Sequence, residues 1–515
     1  MISNYSEAKA RINRHATAAI MLLAAASAGA SLPALEYEAT LEAVPGTERF
    51  APYMIGSWRN GLMNGRTGIV ADAGLHKQLD LSKRFSWAAG VEIAAGYMSA
   101  SDYELYGNGQ WTGRSYRPAA FTLQQAYATI KYRQVCITAG QKNPHSYFMN
   151  EKVSSGDLTR SNNARGLPGV EAGFIDFVDI PFTRGWVQID GTISYNAFTD
   201  NKYRRSQFNY YNDILATGLL YTYKRAHFRT MPSQPFSVTL GMQVGGLFGG
   251  TTQWWDRGKN TRVQKNGASL RTFIDMFLPV EGNGDGYYQG ASLGTIDLKL
   301  RYRLKNGAEL TAYYQNPWED GSGLGKYNGF DGLWGVAYHS PARTIITDAA
   351  IEWLDFTNES GPIPWQPADY PGCTQINATS GGDNYFNNDQ YGAYANYGMA
   401  IASPFVMAPV YNTDGTPYFA HNMCKGLHMA VAGAIGDDID WRAMYSYQKA
   451  WGMGRLTSPR SYTCNSAMIE GSWNAGRILS GLHLKAAIAF DAGSLRGNNF
   501  GMYLGIKYSG SICNK

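Results

Sequence analysis

The feature that most constrains this chain is a strict two-residue alternation. In Leu298–Leu304 every even position is apolar, while Lys299, Arg301 and Arg303 are cationic. Such a period places alternate side chains on opposite faces of a strand and does not fit a helix. It recurs where Val187, Ile189, Ile193 and Tyr195 interleave with Gln188, Asp190, Thr192 and Ser194. It recurs again in Phe236–Val244 and Phe500–Tyr508. Between Leu304 and a further strand over Glu309–Gln315, Asn306-Gly307 supplies a strong hairpin signal.

Alternation alone also suits a soluble sandwich with one wet face. The connections separate the two. Segments of about ten residues are joined in turn by tight turns and long loops, the habit of barrels with short periplasmic turns and long external loops. Tight turns are expected near 79–84, 133–134, 179–185, 230–235, 305–308, 340–344, 436–440 and 474–481, and the largest loops at about 247–294 and 357–425. Counting back from a C-terminal strand that ends in the periplasm gives about 18 strands, at 500–509, 482–491, 463–473, 440–449, 426–435, 345–355, 332–339, 309–315, 295–304, 236–246, 214–228, 186–196, 170–178, 135–141, 120–132, 85–98, 66–76 and 35–44. An even count with both ends on one side is what a closed antiparallel barrel requires.

That width leaves an aqueous lumen, so Lys299, Arg301, Arg303, Glu309, Gln188, Asp190, Gln243, Lys485 and Asp491 are expected to face water without burial partners. With 59 Gly, 35 Tyr, 21 Phe and 13 Trp and only 17% charged residues, the composition favours an all-β protein. One segment breaks the pattern: over 269–278, Leu270, Phe273, Ile274 and Phe277 share a helical face that Pro279 ends. This short helix either plugs the lumen or caps its loop above the membrane.

The N-terminus reads as an address. Lys9, Arg11, Arg14 and His15 precede a mostly apolar run, Ala16–Ala26, and small residues then mark cleavage near 28–30. We therefore expect a signal peptide over 1–30 and an outer-membrane barrel over 31–515, in the cell outer membrane of a Gram-negative bacterium. The net charge of +5 is too small to argue for nucleic acid. The five cysteines show no metal or thioredoxin spacing. Cys373 with Cys424 is the pair to test, and that neither pairs is an equal alternative.

No nucleophile elbow, zinc-protease helix or complete phosphate loop is present, so no enzymatic activity is expected. His421 and His428 read as solvated loop histidines rather than ligands, and the Gly-Asp stretches at 282–286 and 320–323 read as turns rather than calcium loops. No cofactor or metal is expected. The predicted loops do combine aromatic rings with short acidic and amide residues. A flat ring covers the C–H face of a sugar, and planar amides and carboxylates hydrogen-bond its hydroxyls. Candidate polysaccharide-binding residues are Trp254, Trp255, Trp318, Glu319, Asp320, Asp331, Trp334 and Asn384. The competing reading of the same residues is an interfacial aromatic girdle plus turn formers.

Several stretches, among them Ala51-Pro52-Tyr53 with Arg59-Asn60-Gly61, Ser155-Gly156-Asp157-Leu158-Thr159 with Asn163-Ala164-Arg165, Gly173–Phe177, Asn316–Gly323, Asn328–Gly335 and Leu354–Asn358, resemble the capsule assembly Wzi family in its Bacteroidetes branch. The resemblance implies an eighteen-stranded outer-membrane barrel acting as a lectin for capsular polysaccharide. The enterobacterial members carry a periplasmic helical bundle, whereas here strand-like Leu35–Val44 follows the signal directly. The chain also ends in Ser511–Lys515 without a terminal aromatic residue. The expected partners are thus capsular or surface polysaccharide and outer-membrane lipid, with a diffusion porin as the alternative function.

Overall fold

The structure is a computed structural model that describes residues 35–107, 109–211, 213–276, 290–360, 382–454 and 456–512. The expected signal peptide, Cys373 and the chain end at Cys513 lie outside them.

Alternating residues form the wall: β1 (Leu35–Val44), β2 (Gly68–Lys77), β3 (Phe85–Met98), β4 (Phe121–Tyr132), β5 (Val135–Gln141), β6 (Gly169–Phe174), β7 (Val187–Ala197), β8 (Leu220–Thr230) and β9 (Phe236–Phe248). It continues through β10 (Ala291–Arg303), β11 (Glu309–Trp318), β12 (Gly332–His339), β13 (Asp348–Asp355), β14 (Cys424–Ile435), β15 (Ile439–Met453), β16 (Leu456–Asn474), β17 (Leu482–Ala492) and β18 (Asn499–Ile512). Each pairs antiparallel with the next. β18 pairs with β1 from Leu35↔Ile512 to Ala43↔Leu504, so the eighteen-stranded barrel is closed. A two-residue piece, Val178–Asp179, prolongs the wall beside β7 after β6 breaks off. Among the described residues the expected strands and short turns are present, except that the strand expected over 214–228 is split: Leu220–Thr230 joins the wall and Asp213–Thr217 a separate sheet.

Outward positions are apolar, as contact with lipid requires: Leu41, Val91, Ile130, Leu240, Ile351, Ile469 and Leu504 are exposed on the outer face. Aromatic residues flank this band. Phe85, Tyr132, Trp186, Tyr302 and Trp473 lie toward the short turns, and Tyr97, Phe121, Trp353 and Phe490 toward the long loops. The barrel is of the outer-membrane type.

Among the described residues four short α-helices interrupt the β pattern: α1 (Tyr53–Gly56), α2 (Asn201–Gln207), α3 (Leu270–Asp275) and α4 (Gly321–Leu324). The expected helix is α3, with Ser269 Oγ accepting the Thr272 N–H as its cap. The lumen placement expected for it does not hold. Phe273 packs on Tyr195 and Phe248, whose side chains leave the outer face of β7 and β9, so α3 lies outside the wall. Leu270 and Ile274 remain exposed.

The lumen also departs from expectation. Gln243 and Asp491 are almost completely buried, and Asp190 is buried in an ion pair with Arg225. Lys299 Nζ donates to the Phe148 carbonyl. The chain's own loops enter the lumen, and Arg301, Arg303, Glu309, Gln188 and Lys485, expected to face water alone, also have partners.

Candidate functional site

Among the described residues, three long connections fold inward: 45–67, 142–168 and the described part of 356–423. The second carries few large apolar side chains between Ser154 and Asn163, so it can enter a polar lumen only by exchanging water for the wall's own polar groups. It does so along its length. Ser154 Oγ and Ser155 N–H donate to the two Glu352 carboxylate oxygens, each at 2.7 Å. Gln243 Nε2 and Gln315 Nε2 donate to Asp157 at 3.2 and 3.3 Å, and both amides also donate to Asp297, at 2.9 and 3.0 Å. Lys152 and Asn150 reach Asp348, the first residue of β13 after a short turn. A loop that starts at the external rim therefore runs to the periplasmic end.

The other two inward segments lock onto it. Trp58 N–H donates to Asn163 Oδ1, Asn163 Nδ2 to the Ala400 carbonyl, and Ser403 Oγ to the Ser155 carbonyl. Tyr53 N–H donates to Asp491 Oδ2 on β17 at 2.8 Å. His428, expected in solvent, is 1% exposed and meets Ser446 Oγ and the Val153 carbonyl. His421 is half-buried against Tyr462. Cys424 is a buried free thiol.

The eight residues expected to bind sugar divide into four groups. Trp334 leaves the outer face, stacked on Tyr314 with centroids 3.8 Å apart, beside Trp353 in the register; it belongs to the girdle. Trp318 is 0% exposed and lies over Gly294, so its faces are closed to a sugar. Glu319, Asp320, Asp331 and Asn384 do converge, as an internal lock rather than an open surface. Glu319 Oε2 accepts the Asn384 N–H at 2.8 Å. Asp331 accepts the N–H groups of Asn358 and Glu359 and the Tyr385 hydroxyl. The Asn384 amide oxygen is taken by Asn387 and Asn422. Burial, reinforced by Asp383, holds the Glu319 carboxyl well above its usual range, and burial pushes Asp331 up to about 6. Asp320 is half-buried in the same loop.

Only Trp254 and Trp255 stay at an external surface. They lie on the strand Thr251–Asp256 of a three-stranded sheet with Asp213–Thr217 and Lys259–Lys265. Arg262 covers Trp254, and Trp255 meets Tyr210 edge-on.

The external loops enclose a different cavity, of about 340 Å³, at the rim above β3 and β4. Tyr116 reaches it from the hairpin formed by Ser101–Gly107 and Gln110–Tyr116, Tyr203 from α2, Tyr397 and Asn396 from the inward loop, and Arg165 from the plug. Tyr203 bridges the other two rings, with centroids 5.3 Å from Tyr116 and 6.1 Å from Tyr397. The Arg165 guanidinium lies 4.8 Å from the Tyr397 centroid and donates from Nη2 to Thr122 Oγ1 at 3.4 Å. Its Nε takes no partner among the described residues. Apolar ring faces beside a guanidinium and an amide suit a polyhydroxylated ligand. No motif in the sequence announces this group, because its members come from four separate connections.

No family model matches the sequence, and no curated protein matches it. Among solved structures the fold is similar to Wzi of Escherichia coli, an outer-membrane protein involved in group 1 capsule assembly and a carbohydrate-binding β-barrel. The TM-score is 0.54 at 12% identity, over 93% of this chain and 84% of that one. OccK5 (OpdH) of Pseudomonas aeruginosa aligns at TM-score 0.45 and 8% identity, over 94% of this chain and 100% of that one. OccAB2 of Acinetobacter baumannii aligns at 0.47 and 8%, over 93% and 98%. At these identities the likeness is one of fold: a closed eighteen-stranded barrel of the outer-membrane type.

Proposed function

We propose that the protein is a non-catalytic barrel of the Wzi kind that holds a capsular or surface polysaccharide at the outside of the cell. The observation that carries this reading is the external cavity. Three tyrosine rings offer stacking faces there, and Arg165 and Asn396 offer polar groups at their edges. Trp254 and Trp255 extend the aromatic surface beyond it. The loops entering the lumen support a binding role over a diffusion channel, since polar contacts seat the plug from rim to periplasmic end.

The test is binding of the detergent-solubilised barrel to polysaccharide from its own source, with a heterologous polysaccharide as control. Tyr397→Ala and Arg165→Ala should each weaken binding by roughly tenfold, the loss of about 1–1.5 kcal/mol that one ring contact or charged hydrogen bond supplies. Trp334→Ala, on the lipid face, should leave binding unchanged. Equal binding of all three variants and wild type would move the site away from this cavity.

A further inference from the structure

Beside the seam where β18 closes on β1, three side chains with metal-binding atoms meet on the lumen wall. Glu38 stands on β1, His76 on β2 and Glu92 on β3. The register sets Glu38 opposite Gly74 and Gly74 opposite Glu92, so two glutamates flank a position with no side chain. His76, two residues further along β2, folds back over that gap. A Cβ at Gly74 would fall 2.5 Å from His76 Nε2, and one at Gly90, directly across from His76, 2.5 Å from Nδ1. The imidazole thus lies in a trough that two glycines leave open. One donor atom from each of the three residues lies within 4.8 Å of the other two.

The remaining oxygens are already held. Lys507 donates to Glu38 Oε2 and Gln125 to Glu92 Oε2, which orients both carboxylates and leaves one oxygen of each uncommitted. Among the described residues the His76 nitrogens have no hydrogen-bond or ion-pair partner. Glu36 and Asp72 occupy alternate positions on the same inward face, so carboxylates outnumber the single Lys507 cation here. A half-buried imidazole seated between two carboxylates, in surplus negative charge, matches the donor set of a three-ligand transition-metal site with its fourth position open to water.

We propose that Glu38, His76 and Glu92 bind one divalent transition-metal ion, and that this ion clips β1, β2 and β3 together next to the closing seam. The probe is Zn2+, titrated by calorimetry at neutral pH into the untagged, EDTA-stripped barrel in detergent. The expected result is one saturable equivalent per chain. His76→Ala should weaken it by at least about tenfold, as loss of one ligand does. Gly74→Ala keeps all three ligands but fills the trough, and should weaken binding comparably. His421→Ala, in the 356–423 connection, should bind like wild type. Heat-dependent electrophoretic migration verifies that each variant is folded, and Glu92→Gln replaces any that is not. No stoichiometric uptake by wild type would overturn the proposal, with Lys507 alone neutralising the cluster. So would wild-type affinity in both His76→Ala and Gly74→Ala.

Discussion

Asp157 is 0% exposed inside a barrel whose lumen would otherwise be water. Its carboxylate accepts from Ser146 Oγ at 2.8 Å, from the Thr159 N–H and hydroxyl at 2.9 Å each, and from the amides of Gln243 and Gln315. Removing it leaves two buried wall amides short of an acceptor, a loss of about 1–3 kcal/mol. Asp157→Ala should therefore lower the denaturant midpoint of the barrel and raise its conductance in planar bilayers. If neither changes, the loop is not held in the lumen by this residue. The sequence shows Asp157 only as one polar residue in Ser155–Thr159. Its importance comes from Gln243 and Gln315, far along the chain, and no local pattern links the three.

At the scale of elements, the strands were legible and the inward loops were not. Period two and Asn-Gly are local signals, so β10, β11 and the turn between them follow from neighbouring residues alone. The plug has no period. Residues 142–168 are irregular, and what directs them inward is the complementary set Gln243, Gln315, Glu352 and His428 on four different strands. The same reason explains why Trp318 and Trp334 misled: composition marks an aromatic loop but not which way a ring turns at the strand end. Replacing 145–163 by a short Gly-Ser linker should convert a nearly silent protein into a conducting one, read as single-channel current. The outer sheet carries a separate dependence on pH. Burial, with Asp414 and Asp389 close by, pushes Asp213 up to about 7. A carboxyl whose pKa rises on folding stabilises the fold fully below its unfolded value, near 4, and that stability is lost as pH rises through 7. Protection factors for amide exchange at 213–217, corrected for the intrinsic rate at each pH, should accordingly be higher at pH 5 than at pH 8, and Asp213→Asn should remove the difference.

At the scale of the molecule, the wall is a ring and the plug draws on all of it. α1 follows β1 almost at once, yet Tyr53 waits for Asp491, 438 residues later, and Arg59 for Glu470 on β16. Ser154 and Ser155 likewise need Glu352 on β13. During biogenesis the plugging segments are therefore made long before their seats exist. α1 and Arg59 must stay unengaged until β16 and β17 are laid down. A wall closed early, without β17, would offer α1 no carboxylate, and the gap would leak. Occlusion thus becomes a report on completeness: the barrel that seals is the one whose every strand has arrived.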